Sequence, residues 1–537
     1  MIVKIDFGAL PAAAESRLYL DYISGIDTAV GFFTHPPLDF SAALGARRGH
    51  RYPRQEIVQR LVRYNAGLSA HPNALANVEA LSDPSTFCVI SGQQAGFLGG
   101  PMYAAYKIIT TIRLAVVLEA NFGVRVVPVF WLATEDHDFD EINHAYVFKR
   151  DGEVGRVRFE WRQAGCPIAD LPVGVDVRRA YEGYFESLSP GPYFAPVKGQ
   201  FAPRSGEDYS TWHARIWSQL FSERGLVIVE PRVLRPPARD FFQFALKQSD
   251  EIRRRLDEVS QQLRAAGYTP ALTSAQAGQL YTFDPAGRRV RVQNPQAHLA
   301  EAATHPERYS ADAALRPLLA DAMLPVVVGV LGPGEIAYQA MLKPLYDLFE
   351  LPQPLLFPRK SYTIVARDEA ERIARYRTSV TAILTEQLDV DAAFRSLVPS
   401  SELEVFASAR RRLEAALAPL RPYLEGIDPN LGKTWAQTLA NATRGLDKLE
   451  ERAMKARMSR SGFSKKDVQA LRNALLPRGR LQERIFPLPH FMNRHGTGLI
   501  DELFSAGELD DFSHHILTLE EEHASSQTPV FSEKAGV

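Results

Sequence analysis

Eight consecutive apolar residues, Val126-Val127-Pro128-Val129-Phe130-Trp131-Leu132-Ala133, form the longest such run of the sequence, and six ionisable groups crowd the seven positions Glu135 to Glu141 just behind it. The run is far short of the roughly 20 residues that cross a bilayer. It reads as a strand buried on both faces, and such strands belong to parallel sheets covered by helices. Thr86 to Ser91, Pro325 to Leu331 and Pro354 to Phe357 are further short apolar strands. Between them the periodicity predicts helices over Gln55 to Leu68, Met102 to Asn121 and Glu335 to Phe349. The expectation is an α/β fold, a doubly wound core split along the chain.

The 537 residues exceed one domain, at roughly 150 residues each. We expect the core over 1–365, with insertions at about 145–320 that carry the strand Val154 to Trp161 and the helices Trp212 to Glu223 and Arg239 to Ala266. Long charged helices then fill 366–475. Phe406, Ala409, Leu413, Leu417, Leu420 and Leu424 step by three or four, as do Leu439, Ala442, Leu446, Leu449, Ala453 and Ala456. That spacing is a coiled-coil seam, and Pro422, Gly426, Pro429 and Gly432 mark the turn of an antiparallel arm. A long two-helix arm leaves an apolar flank that a second copy can cover, so a homodimer is expected. Residues 476–517 read as folded onto the core, and 518–537 as a flexible tail.

Lys+Arg number 62 and Asp+Glu 63, a net charge of −1, so no overall field selects nucleic acid or an anionic membrane. The triplets Arg253 to Arg255 and Arg410 to Arg412 read as solvated helix faces, since acidic neighbours flank both. Met1 to Asp6 shows neither a basic leader nor an apolar signal core, and Cys88 and Cys166 are too few for a disulfide framework. The expectation is a cytoplasmic protein, without a membrane span, in which Cys88 is a small buried hydrophobe.

Four stretches could carry chemistry. Ser91-Gly92-Gln93-Gln94-Ala95-Gly96 leads from a strand towards Pro101, and its glycines and a helix N-terminus suggest an anion cradle. Its spacing fits neither the dinucleotide fingerprint nor the P-loop. Glu135-Asp136-His137-Asp138-Phe139-Asp140-Glu141 stands at a strand's carboxyl end, where α/β sheets gather ligands. Calcium is excluded there, because Glu141 and Val147 replace the Gly and Glu that an EF-hand loop needs. Gly332-Pro333-Gly334-Glu335-Ile336-Ala337-Tyr338 repeats the strand, turn and helix pattern, and Arg359-Lys360 after the last strand could neutralise phosphate. Arg457-Met458-Ser459-Arg460-Ser461 imitates a synthetase signature loop, but lies in the arm and is read as coincidence.

These stretches, with Pro128-Val129-Phe130-Trp131, Leu481-Gln482-Glu483-Arg484 and Phe491-Met492-Asn493, resemble the cysteine ligase family of bacillithiol biosynthesis (BshC) over nearly the whole chain. Ser91 stands where that family usually has Thr, which keeps the hydroxyl. The resemblance implies a Rossmann-like core with two connecting-peptide insertions, an α-helical coiled-coil arm and a dimer. It also implies that L-cysteine is joined through its carboxylate to the amine of glucosaminyl-malate. Activating a carboxylate in water suggests ATP and Mg2+. On that reading Ser91, Gly92, Gln93, Gln94, Gly96, Gly332, Gly334, Glu335, Tyr338, Arg359 and Lys360 bind substrate or nucleotide. Glu135 and Asp136 hold an ammonium group or Mg2+, and His137 is the candidate base, with Asp136 and Asp138 beside it; no metal ligand set is assigned. The competing reading is a non-catalytic scaffold whose arm recruits partners.

Overall fold

In the computed structural model, residues 2–11, 17–161, 165–273, 277–388, 394, 398–460 and 464–519 are described. Most of the expected tail at 518–537 lies outside them, as does Ser461. Two compact units emerge: residues 1–365 with 477–537, and residues 366–476.

The first unit is built on a five-stranded sheet. Its strands are β1 (Phe87–Gln94), β2 (Val126–Ala133), β3 (Val227–Val229), β4 (Val326–Leu331) and β5 (Leu355–Pro358), in the order β5-β4-β1-β2-β3. Every neighbouring pair is parallel. Chain order therefore runs outward from the centre to one edge and then restarts on the other side of β1. That is the doubly wound order 3-2-1-4-5 read from the opposite edge. All eight residues of β2 are buried, which is why it reads as an unbroken apolar run. Helix α1 (Tyr103–Phe122) covers one face, packing Leu114 and Leu118 against Phe87, Val89 and Val330. Later in the chain come α2 (Leu315–Met323) and α3 (Pro333–Gln339).

Three expectations need correction. Strand β1 does not stop at Ser91 but runs to Gln94, its Gly92, Gln93 and Gln94 pairing with Trp131, Leu132 and Ala133 of β2. Pairing with β4 ends at Ser91, so the extension is bonded on one edge only. The helix expected over Glu335 to Phe349 is two, α3 and Lys343–Leu348, because Pro344 lacks the N–H that a continuous helix needs. The helix over Arg239 to Ala266 is also divided, into Arg239–Lys247 and Ser249–Ala265.

The stretch 145–320 is not wholly outside the sheet, since it contains β3. Residues 134–226 and 230–325 form the excursions on either side. The first holds the antiparallel pair His144–Phe148 with Val154–Arg158. The second holds Leu280–Phe283 between Arg289–Arg291 and Ser310–Ala311. A separate small sheet places His514–Thr518 between Ile2–Ile5, antiparallel, and Ser361–Val365, parallel.

The second unit contains α4 (Ser400–Leu417), α5 (Leu420–Ile427) and α6 (Leu431–Arg460), with α6 packed against both α4 and α5. Phe406, Leu413, Leu417, Leu424, Leu439 and Leu446 are half-buried along the expected seam. Leu420 and Leu449 are exposed instead. Beside Leu449, Glu450 turns inward to Arg410.

Candidate active site at the carboxyl edge of the sheet

The chain reverses its winding between β1 and β4. A crevice opens at such a switch point, beyond the carboxyl ends of the strands. Gln93 and Gln94 end β1, and Gly332 to Glu335 follow β4, so two of the four sequence stretches meet there. A cavity of about 440 Å³ lies against the sheet, lined by Gly92, Gln94, Trp131, Leu331 and Leu356 from the strands and by Arg316, Asp321, Tyr338 and Gln339 from α2 and α3. Asp136 and Glu141 of the acidic loop also line it. Gly92 fits its place because a Cβ there would stand 3.1 Å from the Trp131 carbonyl oxygen and 3.2 Å from its Cβ.

The cavity wall is chemically varied. Trp131 Nε1, a donor, and Gln339 Oε1, an acceptor, are buried without a hydrogen-bond partner. Buried polar atoms are normally satisfied, so both are open to a ligand. Gln94 Nε2 donates to Asp136 Oδ2 at 3.2 Å. Burial would raise the Asp136 carboxyl, but Arg289, the His137 amide and Arg316 outweigh it and hold it below its ordinary value. Glu141 goes the other way, raised by burial and by the charge of Asp138. Two carboxyls at one mouth thus differ, the pattern that separates a permanent anion from a group able to take up a proton. Burial pushes Asp321 up to about 7, and its carboxyl accepts from Tyr346 Oη. Arg316 bonds Tyr338, whose phenol is pushed up to about 12 by burial and by Glu335.

A second recess, of about 250 Å³, lies beside Tyr103, Lys107, Gly332, Gly334, Arg359 and Arg484. It shares Gln93 and Glu335 with the first. Lys107 is buried on α1, donating to the Gly92 carbonyl at 2.8 Å and to Gln93 Oε1 at 2.9 Å, with Glu335 at 2.5 Å. Arg359 is buried and paired with Glu483 at 2.6 Å.

Several expected site residues are placed elsewhere. Ser91, by contrast, is among the residues lining the first cavity, with its Oγ buried and without a hydrogen-bond partner. Gly96 belongs to a tight turn: a Cβ on it would lie 2.7 Å from Gly100 Cα, and its carbonyl accepts from His213 Nε2. The turn leads into α1 at Tyr103, but the Gly100 and Met102 amides are bonded to the carbonyls of Phe97 and Phe486 and are not offered to a ligand. Glu135 is buried against Arg235 at 2.7 Å, which neutralises it. His137 and Asp138 do not line the cavity; His137 Nδ1 lies 3.4 Å from Arg289 Nη1, and Asp138 is exposed. Lys360 is held by the carbonyls of Glu508 and Asp511. Cys88 is buried, with a thiol pushed up to about 12, which suits packing. Lys107, Arg316 and Asp321 escaped the sequence reading because each is an isolated polar residue on a helix, and Arg484 entered it only within the motif Leu481-Gln482-Glu483-Arg484, with no role assigned.

Among the described residues no helix is long and apolar enough to cross a membrane. Two family models match the chain: "Bacillithiol biosynthesis BshC, N-terminal Rossmann-like domain" over residues 5–360, and "Bacillithiol biosynthesis BshC, C-terminal coiled-coil domain" over 362–519. A protein of Geobacillus kaustophilus named "Putative cysteine ligase BshC" is 29% identical, over 95% of this chain and 99% of its own length. Proteins of the same name from Bacillus cytotoxicus and Natranaerobius thermophilus are 28% and 25% identical, over 89% and 91% of this chain and 93% and 95% of theirs.

Proposed function

The chain belongs to the BshC family of bacillithiol biosynthesis, and on that premise we propose that it is a cysteine ligase that joins the carboxylate of L-cysteine to the amine of glucosaminyl-malate. The observation that carries the reading is the varied cavity at the switch point of a sheet whose unit matches the family's Rossmann-like domain. Amide formation needs an activated carboxylate. With ATP, a carboxylate oxygen takes either the adenylyl group, releasing pyrophosphate, or the γ-phosphoryl group, releasing ADP. The amine then forms the C–N bond, the C–O bond to the phosphoryl group breaks, and a proton leaves the nitrogen.

Asp136, held ionised, suits the incoming ammonium. Glu141, held above its ordinary value, suits the departing proton; this moves the base from His137 to a carboxylate that lines the cavity. Arg316 supplies a cation for a substrate carboxylate, and Trp131 Nε1 and Gln339 Oε1 offer one donor and one acceptor to neutral polar groups. Magnesium is commonly held by one or two carboxylates together with substrate phosphates, and Asp136 and Glu141 meet that requirement. We place the enzyme in the cytoplasm, in keeping with two unpaired cysteines, as a homodimer through the arm. The arm's half-buried seam and the exposed Val405, Tyr423 and Ile427 support the dimer.

The test is to incubate the purified protein with cysteine, glucosaminyl-malate, ATP and Mg2+ and to follow bacillithiol, AMP and ADP by mass spectrometry. Bacillithiol is expected, with one of the two nucleotides in equal amount. No product, where a working relative yields one, overturns the reading.

A further inference from the structure

One oxygen of Glu335 does two jobs in the second recess. Its Oε2 accepts from the Gly332 amide at 2.8 Å and pairs with Lys107 Nζ at 2.5 Å. The amide bond alone is half of an ordinary helix cap. A cap needs no lysine, yet Lys107 is a buried cation aimed at the same oxygen, in surroundings that lower its pKa by desolvation against the pull of Glu335. An oxygen seated on a backbone N–H and an ammonium group is the environment that anion-binding loops give a phosphoryl oxygen.

The rest of the recess carries more positive charge. Lys107, Arg359 and Arg484 line it, while Glu335 and Glu483 are the acids paired with the first two. Three cations against two anions leave one net positive charge, carried by Arg484, which is exposed at the rim of the recess and forms no ion pair within 4 Å among the described residues. A Cβ on Gly332 would lie 3.6 Å from Arg359 Nε, so the backbone comes close to a guanidinium there. Donors converging from Gly332, Lys107, Arg359 and Arg484 suit a multi-oxygen anion better than a planar carboxylate.

We propose that this recess is a phosphoryl subsite for a di- or triphosphate chain, and that the Glu335 carboxylate is a built-in stand-in that such a chain displaces from the Gly332 amide and Lys107. The inference rests on the ligase reading only for the identity of the phosphate donor. Titration calorimetry of the full chain with pyrophosphate and with tripolyphosphate tests it, on the wild type, Glu335→Gln and Arg484→Ala, each checked for folding by circular dichroism. The wild type should bind saturably. Arg484→Ala should weaken binding about tenfold, since a charge-assisted contact is worth more than 1.4 kcal/mol. Glu335→Gln, which keeps an acceptor but removes the competing charge, should tighten it several-fold.

Absence of saturable binding in both wild type and Glu335→Gln overturns the proposal, as does an affinity indifferent to Arg484→Ala, or malonate binding more tightly than pyrophosphate. If ATP displaces tripolyphosphate, a nucleotide is the donor; if it does not while tripolyphosphate still binds, the subsite serves another phosphate compound. The two readings fail separately. A protein that makes bacillithiol yet ignores both polyphosphates is a ligase without this subsite, and one that binds them but makes no product keeps the subsite and loses the ligase reading.

Discussion

Charges are handled in opposite ways by the sheet unit and the helical arm. In the sheet unit Arg359–Glu483, Arg235–Glu135 and Arg215–Glu207 are ion pairs with both side chains nearly buried. In the arm Arg410 meets Asp447 and Glu450, and Arg421 meets Glu425, with substantial exposure on both sides. Apolar groups follow the same division, since the β2 side chains are buried and the arm's leucines only half-covered. The sheet unit uses charge to fix positions around a crevice. The arm uses it to stay hydrated on a surface that still has apolar area to cover.

The contrast is broken most severely at Arg359. Arg359→Met leaves the Glu483 carboxylate buried with, among the described residues, the Ser361 hydroxyl and Tyr362 amide as its donors, and should destabilise the sheet unit by about 3–5 kcal/mol in urea unfolding. A loss under about 1 kcal/mol, the scale of surface pairs, would erase the distinction.

Leucines give the next largest contrast. Leu132→Ala, in the buried sheet, should cost about 2–5 kcal/mol, whereas Leu413→Ala in an isolated arm should cost well under that range. If a second copy covers the seam, the Leu413→Ala effect becomes concentration-dependent. Replacing residues 400–460 by a short Gly/Ser linker should then give a monomer in light scattering; a persisting dimer puts the interface elsewhere.

Asp321 sharpens the comparison through pH. Its folded pKa, about 7, is raised above the unfolded carboxylate value, so the folded state binds more protons between the two, and stability falls as pH rises from about 4 to 7. Asp321→Asn should remove that part of the slope, by a difference that grows towards neutral pH and levels off above it. Parallel stability curves for the two proteins would show that the carboxyl titrates normally. The smallest effect is expected at Arg410→Ala, about 0.2–1 kcal/mol and diminished by salt, read from arm unfolding at low and high ionic strength.

Legibility in the sequence follows the same line. Strands such as Val126–Ala133 and Val326–Leu331 were readable because continuous burial leaves continuous apolar residues. The continuation of β1 through Gly92-Gln93-Gln94 was not, because glycine and polar residues read as turn until a neighbouring strand holds them. In the site, Asp136, Gln94 and Glu335 were found because they cluster in sequence beside glycines and strand ends. Lys107 and Arg316 were hidden, since a lone cation on a helix looks like a solvated one until the fold buries it. Glu135 misled for the converse reason: its neutralising partner, Arg235, is far off in sequence. The arm's seam was visible as spacing, but spacing alone did not show that Leu420 and Leu449 stay exposed.

The small sheet that sets His514–Thr518 between Ile2–Ile5 and Ser361–Val365 imposes an order of events during synthesis. On a translating ribosome the strand Ile2–Ile5 emerges long before His514–Thr518, with which it pairs in that sheet. Arg359, too, leaves the exit tunnel well before Glu483. Until Glu483 and then His514–Thr518 have emerged, the nascent chain carries an unneutralised guanidinium and an unmatched strand edge, both of which invite association with other chains. Ribosomes that stop short of residue 514 would therefore release a chain with its long helices already made but the seam between its two ends still open, a product for quality control to remove.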